Sequence, residues 1–141
     1  MAGFGERAVW LAFTSDRFDH TSELPEDANA GNRFYGRDVA ELVSTGLAER
    51  GFETSFLDED WGWQAHANRP DGSILEVSIY HNPEEDPAAE DDWALMVRVL
   101  RQERLLGLVR RFRESDVDDE SLRALEDVFA QVGVTLRHSE G

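Results

Sequence analysis

The four histidines are the side chains of this 141-residue sequence best suited to acid–base or metal chemistry at neutral pH. They stand at positions 20, 66, 81 and 138, and none belongs to a His-Glu-x-x-His or His-x-x-x-His arrangement that would bring two imidazoles to one metal ion. Cysteine is absent, which excludes a thiol nucleophile, an iron–sulfur cluster and a cysteine zinc site. We therefore predict no metal site and no cofactor, and we assign no catalytic residue.

His66 has one potential chemical partner, Glu76, which the strand register derived below places directly opposite it. A carboxylate beside an imidazole can orient and charge it, as in a general base. The other interpretation, which we favour, is a solvated cross-strand pair. If the pair is functional, Tyr80 and Arg98 lie on the same predicted sheet face and complete a site for a small ligand or a substrate.

Acidic residues dominate the charge of the chain, with 30 Asp and Glu against 14 basic residues, all of them arginine, and a net charge of -16. Such a charge repels nucleic-acid phosphate and anionic lipid and attracts a basic protein. A role in solubility alone is the competing interpretation. We predict a basic protein partner, and neither a nucleic acid nor a membrane. The predicted contact residues are Asp58, Glu59, Asp60, Glu84, Glu85, Asp86, Asp91 and Asp92.

Arginine is concentrated in one stretch that opposes this overall charge. Six arginines and a single acidic residue, Glu103, lie between positions 98 and 113. We interpret the stretch as offsetting the charge of the protein's own acidic loops. The alternative is that the stretch contacts nucleic acid or lipid. Either partner would need a local basic surface that overcomes the overall charge, and these arginines could form one.

Hydrophobic periodicity predicts the elements that position these residues. In residues 8–14 the side chains of both alternating sets are apolar, which favours a strand in the interior of a sheet. Residues 35–50 carry apolar side chains at helical spacing, with Asn32 as the N-cap and Gly51 as the stop signal. Gly46 lies on the buried side of this predicted helix, where we expect close packing against the sheet.

Residues 69–72, with the sequence Arg-Pro-Asp-Gly, predict a tight hairpin that fixes a strand register. Proline is favoured at position i+1 of a type I turn, and glycine adopts the positive φ of the bulge residue that follows the turn. Counting outward, His66 faces Glu76 on one side of the sheet, and Gly62 faces Tyr80 and leaves room for its ring. The other face is apolar and contains Trp61, Trp63, Ala65, Ala67, Leu75, Val77 and Ile79.

Apolar patterns predict the remaining elements. Residues 52–57 and 93–100 favour strands. Apolar residues at positions 105, 108, 109 and 112 favour a short amphipathic helix over 105–112. Asp118 predicts the start of a last helix, and residues 134–137 form either a short terminal strand or a tail.

These elements predict an α+β fold, in which helices pack on a mostly antiparallel sheet of about five strands in the order β-α-β-β-β-α-α-β. We expect a single domain over residues 1–141. Two acidic and mobile loops are expected, one near 15–33 and the other near 82–92.

One stretch resembles a group of small bacterial proteins of unassigned function. In that group an aromatic-Gly-x-x-x-Ala-x-x-Leu helix precedes Gly-Phe-Glu and an acidic Asp-Trp-Gly-Trp, and this sequence has Val43 in place of the leucine. The resemblance implies a cytoplasmic bacterial protein and brings no catalytic residues. The matching residues are Tyr35, Gly36, Ala40, Val43, Gly51, Phe52, Glu53, Asp60, Trp61, Gly62 and Trp63.

Two hypotheses from different classes follow. The first is a non-enzymatic, acidic protein-binding module of the bacterial cytoplasm that neutralises a basic partner, as an immunity protein or an antitoxin does. The alternative is a small-ligand-binding protein or an enzyme that uses the sheet face around His66, Glu76, Tyr80 and Arg98. A homodimer that buries this second sheet face is a third possibility.

Overall fold

The computed structural model describes residues 7–19, 21–81 and 93–139, which form two helices and a seven-stranded sheet. The strands are β1 (Val9–Phe13), β2 (Glu53–Glu59), β3 (Gly62–Asn68), β4 (Ile74–His81), β5 (Trp93–Leu105), β6 (Leu108–Ser115) and β7 (Arg137–Ser139). The helices are α1 (Arg37–Ala48) and α2 (Asp119–Ala130). The spatial order is β2-β3-β4-β5-β1-β7, and β6 pairs with β5.

All of the strand pairs in the described residues are antiparallel. The predicted α+β class is therefore confirmed. The prediction of about five strands in the order β-α-β-β-β-α-α-β is wrong, because the described residues alone form seven strands and their helices and strands follow the order β-α-β-β-β-β-β-α-β. The acidic loop predicted near 82–92 lies outside the described residues.

One face of the sheet forms the core, because apolar side chains alternate along its central strands. The buried side chains of this face are Leu11, Phe13, Ala65, Ala67, Leu75, Val77, Ile79, Trp93, Leu95, Val97 and Val99. Both helices pack on it through Val39, Val43, Leu47, Leu125, Val128 and Phe129. Burial of each large apolar side chain stabilises the fold by about 1.5–3 kcal/mol.

The β3–β4 hairpin has the predicted turn and the predicted register. The backbone N–H of Arg69 donates to the Ser73 carbonyl over 2.9 Å, and that of Gly72, at φ 84°, donates to the Arg69 carbonyl over 2.9 Å. His66 lies opposite Glu76. Because successive residues alternate between faces, this register sends the aliphatic side chains into the core and the polar ones to the opposite face.

The prediction that both hairpin tryptophans point into the core is wrong for Trp61. Trp61 lies in the turn before β3, is 36% exposed and packs on Tyr80, with 5.0 Å between the ring centroids. The alternation of strand residues does not extend into a turn, which explains the error. Trp63 is partly buried against the core, and its indole N–H donates to the carbonyl of Phe34 over 2.9 Å.

The prediction of a short helix over residues 105–112 is wrong, because this stretch completes a β-hairpin. Leu105 pairs with Leu108, and the two residues between them, Leu106 and Gly107, have positive φ angles of 56° and 81°. Two central residues with positive φ are characteristic of a type I′ turn. A short apolar run beside a glycine does not distinguish helix from strand by spacing alone, so the helical spacing here was coincidental.

The starts of the two helices differ in how well the sequence predicted them. The N-cap of α1 is Gly36 rather than Asn32, whose side chain instead donates to the carbonyl of Asp60 over 2.8 Å. The predicted N-cap of α2 is confirmed, since the carboxylate of Asp118 accepts from the backbone N–H of Ser121 over 3.1 Å.

Gly46 and Gly62 each allow a neighbouring group to approach closely, but in both cases the neighbour is not the one that we predicted from the sequence. A Cβ at Gly46 would lie 2.6 Å from Cγ2 of Val128, so this glycine fits α1 against α2 rather than against the sheet. A Cβ at Gly62 would lie 2.5 Å from the backbone oxygen of Ile79, so it accommodates a neighbouring strand rather than the Tyr80 ring. A side chain can shift to relieve such a contact, whereas a paired strand backbone cannot.

We expect Gly62→Ala to lower the free energy of unfolding by about 1–3 kcal/mol, because the overpacked contact has no side-chain rotamer that relieves it. Urea denaturation followed by circular dichroism measures this loss. Gly46→Ala is the control, since its clash is with the side chain of Val128 and should be relieved in combination with Val128→Ala. A Gly62→Ala protein as stable as the unsubstituted one would contradict the assigned role of Gly62.

Candidate functional site

A cleft of about 700 Å³ lies between the segment that links β1 to α1, the start of α1, and strands β2 and β3. Its walls are largely apolar and aromatic, and they include Leu24, Pro25, Phe34, Tyr35, Phe56, Leu57 and Trp63. Its charged residues are Asp19, Asp27, Asp38, Glu41, Asp58 and Arg37. We call this feature the acidic cleft, because five carboxylates and one guanidinium surround it.

Asn29 fixes the linking segment on the turn between β2 and β3. Its side-chain amide donates to the carbonyls of Glu59, over 2.9 Å, and Gly62, over 2.6 Å. Its backbone N–H donates to the carboxylate of Asp58 over 3.0 Å, and its side-chain oxygen accepts from the N–H of Phe34 over 2.9 Å. Asn29 is 1% exposed and has a φ of 53°, a conformation that asparagine adopts more readily than most residues.

Further hydrogen bonds join the linking segment to α1. The carboxylate of Asp38, in the first turn of α1, accepts from the backbone N–H of Asp19 over 2.7 Å. The hydroxyl of Tyr35 donates to the carbonyl of Ser22 over 2.6 Å. These hydrogen bonds hold the linking segment against the start of α1. Acidic residues that are distant in sequence, such as Asp19 and Asp38, therefore lie around the same cleft.

Three of the eight acidic contact residues predicted from the sequence lie in the described part of the chain. Asp58 lines the acidic cleft, while the carbonyls of Glu59 and Asp60 accept hydrogen bonds from Asn29 and Asn32. The turn that carries these acids therefore has a structural role as an anchor for the linking segment. The other five acids, Glu84, Glu85, Asp86, Asp91 and Asp92, lie outside the described residues.

Sequence reasoning did not single out Asp19, Asp27, Asp38 and Glu41 as a group. They are scattered over 23 positions and share no spacing rule. The one sequence signal was the length and polarity of residues 15–33, since long polar loops often carry function.

The sheet face opposite the core, which we call the polar face, carries the second predicted site. Oε1 of Glu76 accepts from Nε of Arg98 over 2.9 Å and also from Nη2 of the same guanidinium. Nε2 of His66 lies 3.6 Å from Oε2 of Glu76, and Nη1 of Arg98 lies 3.6 Å from a carboxylate oxygen of Glu114. The side chains of His66 and Glu76 are only 25% and 8% exposed, so their pair is not the solvated one that we favoured from the sequence, and Arg98 beside them is 6% exposed.

This environment keeps Glu76 ionised. Burial on its own raises the pKa of Glu76, but the contacts with His66 and Arg98 outweigh it and hold the pKa below its usual value. A carboxylate with a lowered pKa is a weak proton acceptor, and one of its oxygens is already occupied by Arg98. The arrangement is that of a structural ion pair rather than of a general base.

Aromatic rings cover another part of the polar face. Tyr80 stacks on Trp10, with 5.8 Å between the centroids, and makes a tilted ring contact with Trp61, with 5.0 Å between the centroids. Burial raises the pKa of the Tyr80 hydroxyl above its usual value. Tyr80 is in contact with both tryptophans, and the three rings together form a ladder on this face.

A second cleft, of about 560 Å³, lies where the β3–β4 turn meets the start of α2. Nη1 of Arg69 donates to Asp118 over 2.6 Å and to Ser121 over 2.9 Å, and Nη1 of Arg101 donates to Asp71 over 3.0 Å. Burial would raise the pKa of Asp118, but its hydrogen bonds lower it below the usual value. Asp118 thus pairs with Arg69 and joins the turn to α2, while Asp71 pairs with Arg101 and joins the turn to β5.

The chain matches no protein-family model, no curated protein and no solved structure. Within residues 7–19, 21–81 and 93–139, no three His, Asp or Glu side chains are grouped so that they could hold a metal ion. No helix in the described part of the chain is long and apolar enough to cross a membrane.

We expect Asn29→Asp to lower the free energy of unfolding by about 3 kcal/mol or more, because it places an uncompensated carboxylate against two buried carbonyls. Asn32→Asp is the matched control, since its single side-chain bond to Asp60 is exposed, and we expect a loss below about 1 kcal/mol. Urea denaturation gives both values. Equal losses in the two variants would show that Asn29 is not the main anchor of the segment.

We expect Glu76→Gln to lower the free energy of unfolding at pH 7 by about 3 kcal/mol, because it removes the carboxylate that directly hydrogen-bonds the buried Arg98 and leaves only the more distant carboxylate of Glu114, at 3.6 Å, close to that guanidinium. The lowered pKa of Glu76 stabilises the fold above the ordinary carboxyl pKa of about 4.3, and this stabilisation is lost as pH falls through the folded-state pKa. The difference between the two proteins should therefore narrow below about pH 4.

Denaturant titrations across this pH range measure the effect. Glu53→Gln, at an exposed position of β2, is the control and should change stability by less than about 0.5 kcal/mol at every pH. A loss for Glu76→Gln that does not depend on pH would refute the ionised state of Glu76 in the fold.

Proposed function

We propose that this protein is a non-enzymatic binding module of the bacterial cytoplasm that captures a basic protein through the acidic cleft, as an immunity protein or an antitoxin does. The observation that carries the proposal is the composition of this cleft, in which five carboxylates and one guanidinium surround apolar walls. The net charge of -16 adds a long-range attraction that speeds the encounter with a basic partner.

The acidic cleft matches the chemistry of an arginine or lysine side chain. Such a side chain has an apolar stem and a charged head, and it buries the stem while the head stays near polar groups. Rings of Phe34, Tyr35 and Trp63 suit the stem and offer faces for a cation–π contact. Carboxylates such as Asp38 and Glu41 suit the head. The volume of about 700 Å³ is within the range of pockets that hold a bound group.

The polar face supports a second proposal, a site for a small planar ligand. Its specific support is the ladder of Trp10, Tyr80 and Trp61, on the same sheet face as the ion pair of Glu76 and Arg98. A planar ring could stack on such a ladder. An enzymatic role is the weaker form of this proposal, because Arg98 already neutralises the carboxylate of Glu76 that would have to orient and charge His66 as a base.

Binding of a fluorescent nona-arginine peptide, measured by anisotropy at physiological salt, tests the acidic cleft. We expect the double variant Asp27→Lys and Glu41→Lys, at exposed cleft positions, to weaken binding by about tenfold or more, or about 1.4 kcal/mol. The control, Glu126→Lys with Asp127→Lys, makes the same charge change on exposed positions of α2 outside the cleft. We expect it to weaken binding by only about two- to threefold through the reduced overall charge.

Equal losses in the two double variants would mean that the peptide responds only to net charge, and the proposal would fail. Trp61→Ala separates the two proposals, because it removes one ring of the ladder and leaves the cleft intact. Peptide binding that depends on Trp61 but not on the cleft acids would move the binding site to the polar face.

A further inference from the structure

The β5–β6 hairpin extends beyond the rest of the sheet as an arm. β4 pairs with β5 as far as Leu100, and β1 pairs with its residues 93–97. In the described part of the chain, residues 101–105 therefore have a strand partner on one side only, β6. We define the arm as residues 101–113, which contain five arginines and one glutamate and thus carry a charge of +4 in a chain of net charge -16.

The tip of the arm is apolar and exposed. Leu106 is 93% exposed, Leu108 74% and Leu105 55%, while Phe112, opposite Gln102 nearer the base of the arm, is 44% exposed. Leu106 has a φ of 56°, in the left-handed region that leucine adopts only at an energetic cost. Asparagine or glycine would make the same turn more easily, and Leu106 contributes nothing to the core. The fold therefore does not explain an apolar residue at this position.

Guanidinium groups lie beside this tip, at Arg104, and farther back along the arm, at Arg111 and Arg113, whose strand partners are Glu103 and Arg101. Nη1 of Arg104 donates to the carbonyl of Gly107 over 3.2 Å, and its Nε donates to Gln102 over 3.0 Å, so the group is held beside the turn. Arg111 and Arg113 lie 3.1 and 3.6 Å from the carboxylate of Glu103, with side chains that are 63% and 68% exposed. The single acid of the arm thus neutralises only part of its charge.

We propose that the arm docks on an anionic lipid bilayer, with the leucines of the tip inserted at the headgroup–acyl boundary and the arginines on lipid phosphates. Apolar side chains flanked by cations are the composition that binds such an interface. Guanidinium groups bind phosphate through paired hydrogen bonds. The convex tip also favours lipid, because a stable protein interface needs about 800 Å² from each partner, whereas a bilayer deforms around a narrow protrusion.

The length of the arm explains how it can overcome the net charge of the protein. With a rise of about 3.3 Å per residue, the tip lies roughly 13–17 Å beyond the last residue of β5 that pairs with β4. The Debye length at physiological salt is about 8 Å, so the acidic body is screened from a surface that the tip touches. The expectation that net charge excludes an anionic membrane therefore does not apply to the arm.

Co-sedimentation with vesicles tests this proposal. We expect the protein to bind vesicles made of equal parts phosphatidylcholine and phosphatidylglycerol, and not vesicles of phosphatidylcholine alone. Leu106→Asp should reduce binding by about tenfold, and it should fold normally because aspartate tolerates a positive φ. The pair Arg111→Glu with Arg113→Glu should reduce binding further, because two positive charges become negative and the charge of the arm falls by four units. Gln131→Asp is the control, since it adds the charge of Leu106→Asp at an exposed position outside the arm.

Several outcomes would overturn the proposal. They are absence of binding to the anionic vesicles, equal binding by Leu106→Asp and Gln131→Asp, and an arm that instead mediates binding to duplex DNA or self-association in sedimentation. The acidic cleft is unchanged in all of these variants, so failure of the lipid proposal leaves the proposed capture of a basic protein untouched.

Discussion

The turn from Arg69 to Ser73 imposes the constraint on which both faces of the sheet depend. Its two backbone hydrogen bonds set the register of β3 and β4, and β4 in turn pairs with β5. A slip of one residue would send Glu76 into the core and its aliphatic neighbours to the opposite face. The register of β4 against β5 has a constraint of its own, since a slip there would separate Glu76 from Arg98, and breaking a buried ion pair costs about 3–5 kcal/mol.

The parts of the fold that could be predicted from the sequence are those where local chemistry and hydrophobic pattern agree. Pro70 and Gly72 specify the turn, and the alternation of Ala65, Val77 and their neighbours specifies the same register, so the hairpin was predicted correctly. The pattern at residues 105–112 fits a helix and a strand equally, and only pairing with β5 decides between them. Trp61 was misplaced because alternation stops where a strand ends.

The acidic cleft lay beyond sequence reasoning for a different physical reason. It exists because Asn29 makes hydrogen bonds to carbonyls some 30 residues away, and a single buried asparagine has no periodicity that would reveal it. The polar face was easier to predict, since the strand register alone places Glu76 opposite His66. The burial of Glu76 did not follow from the register, and its burial beside Arg98 is what makes Glu76 a structural residue.

Arginine has two distinct roles in this protein, which has no lysine. Arg69 and Arg98 are largely buried, and each is matched to a carboxylate that fixes one element on another. Arg111 and Arg113 are largely exposed on the arm. The two proposed surfaces would consequently act almost independently. The arm holds a bilayer beyond the Debye length of the acidic body, so we expect a basic protein in the acidic cleft to change binding to the bilayer little, and linkage requires an equally small effect in the reverse direction.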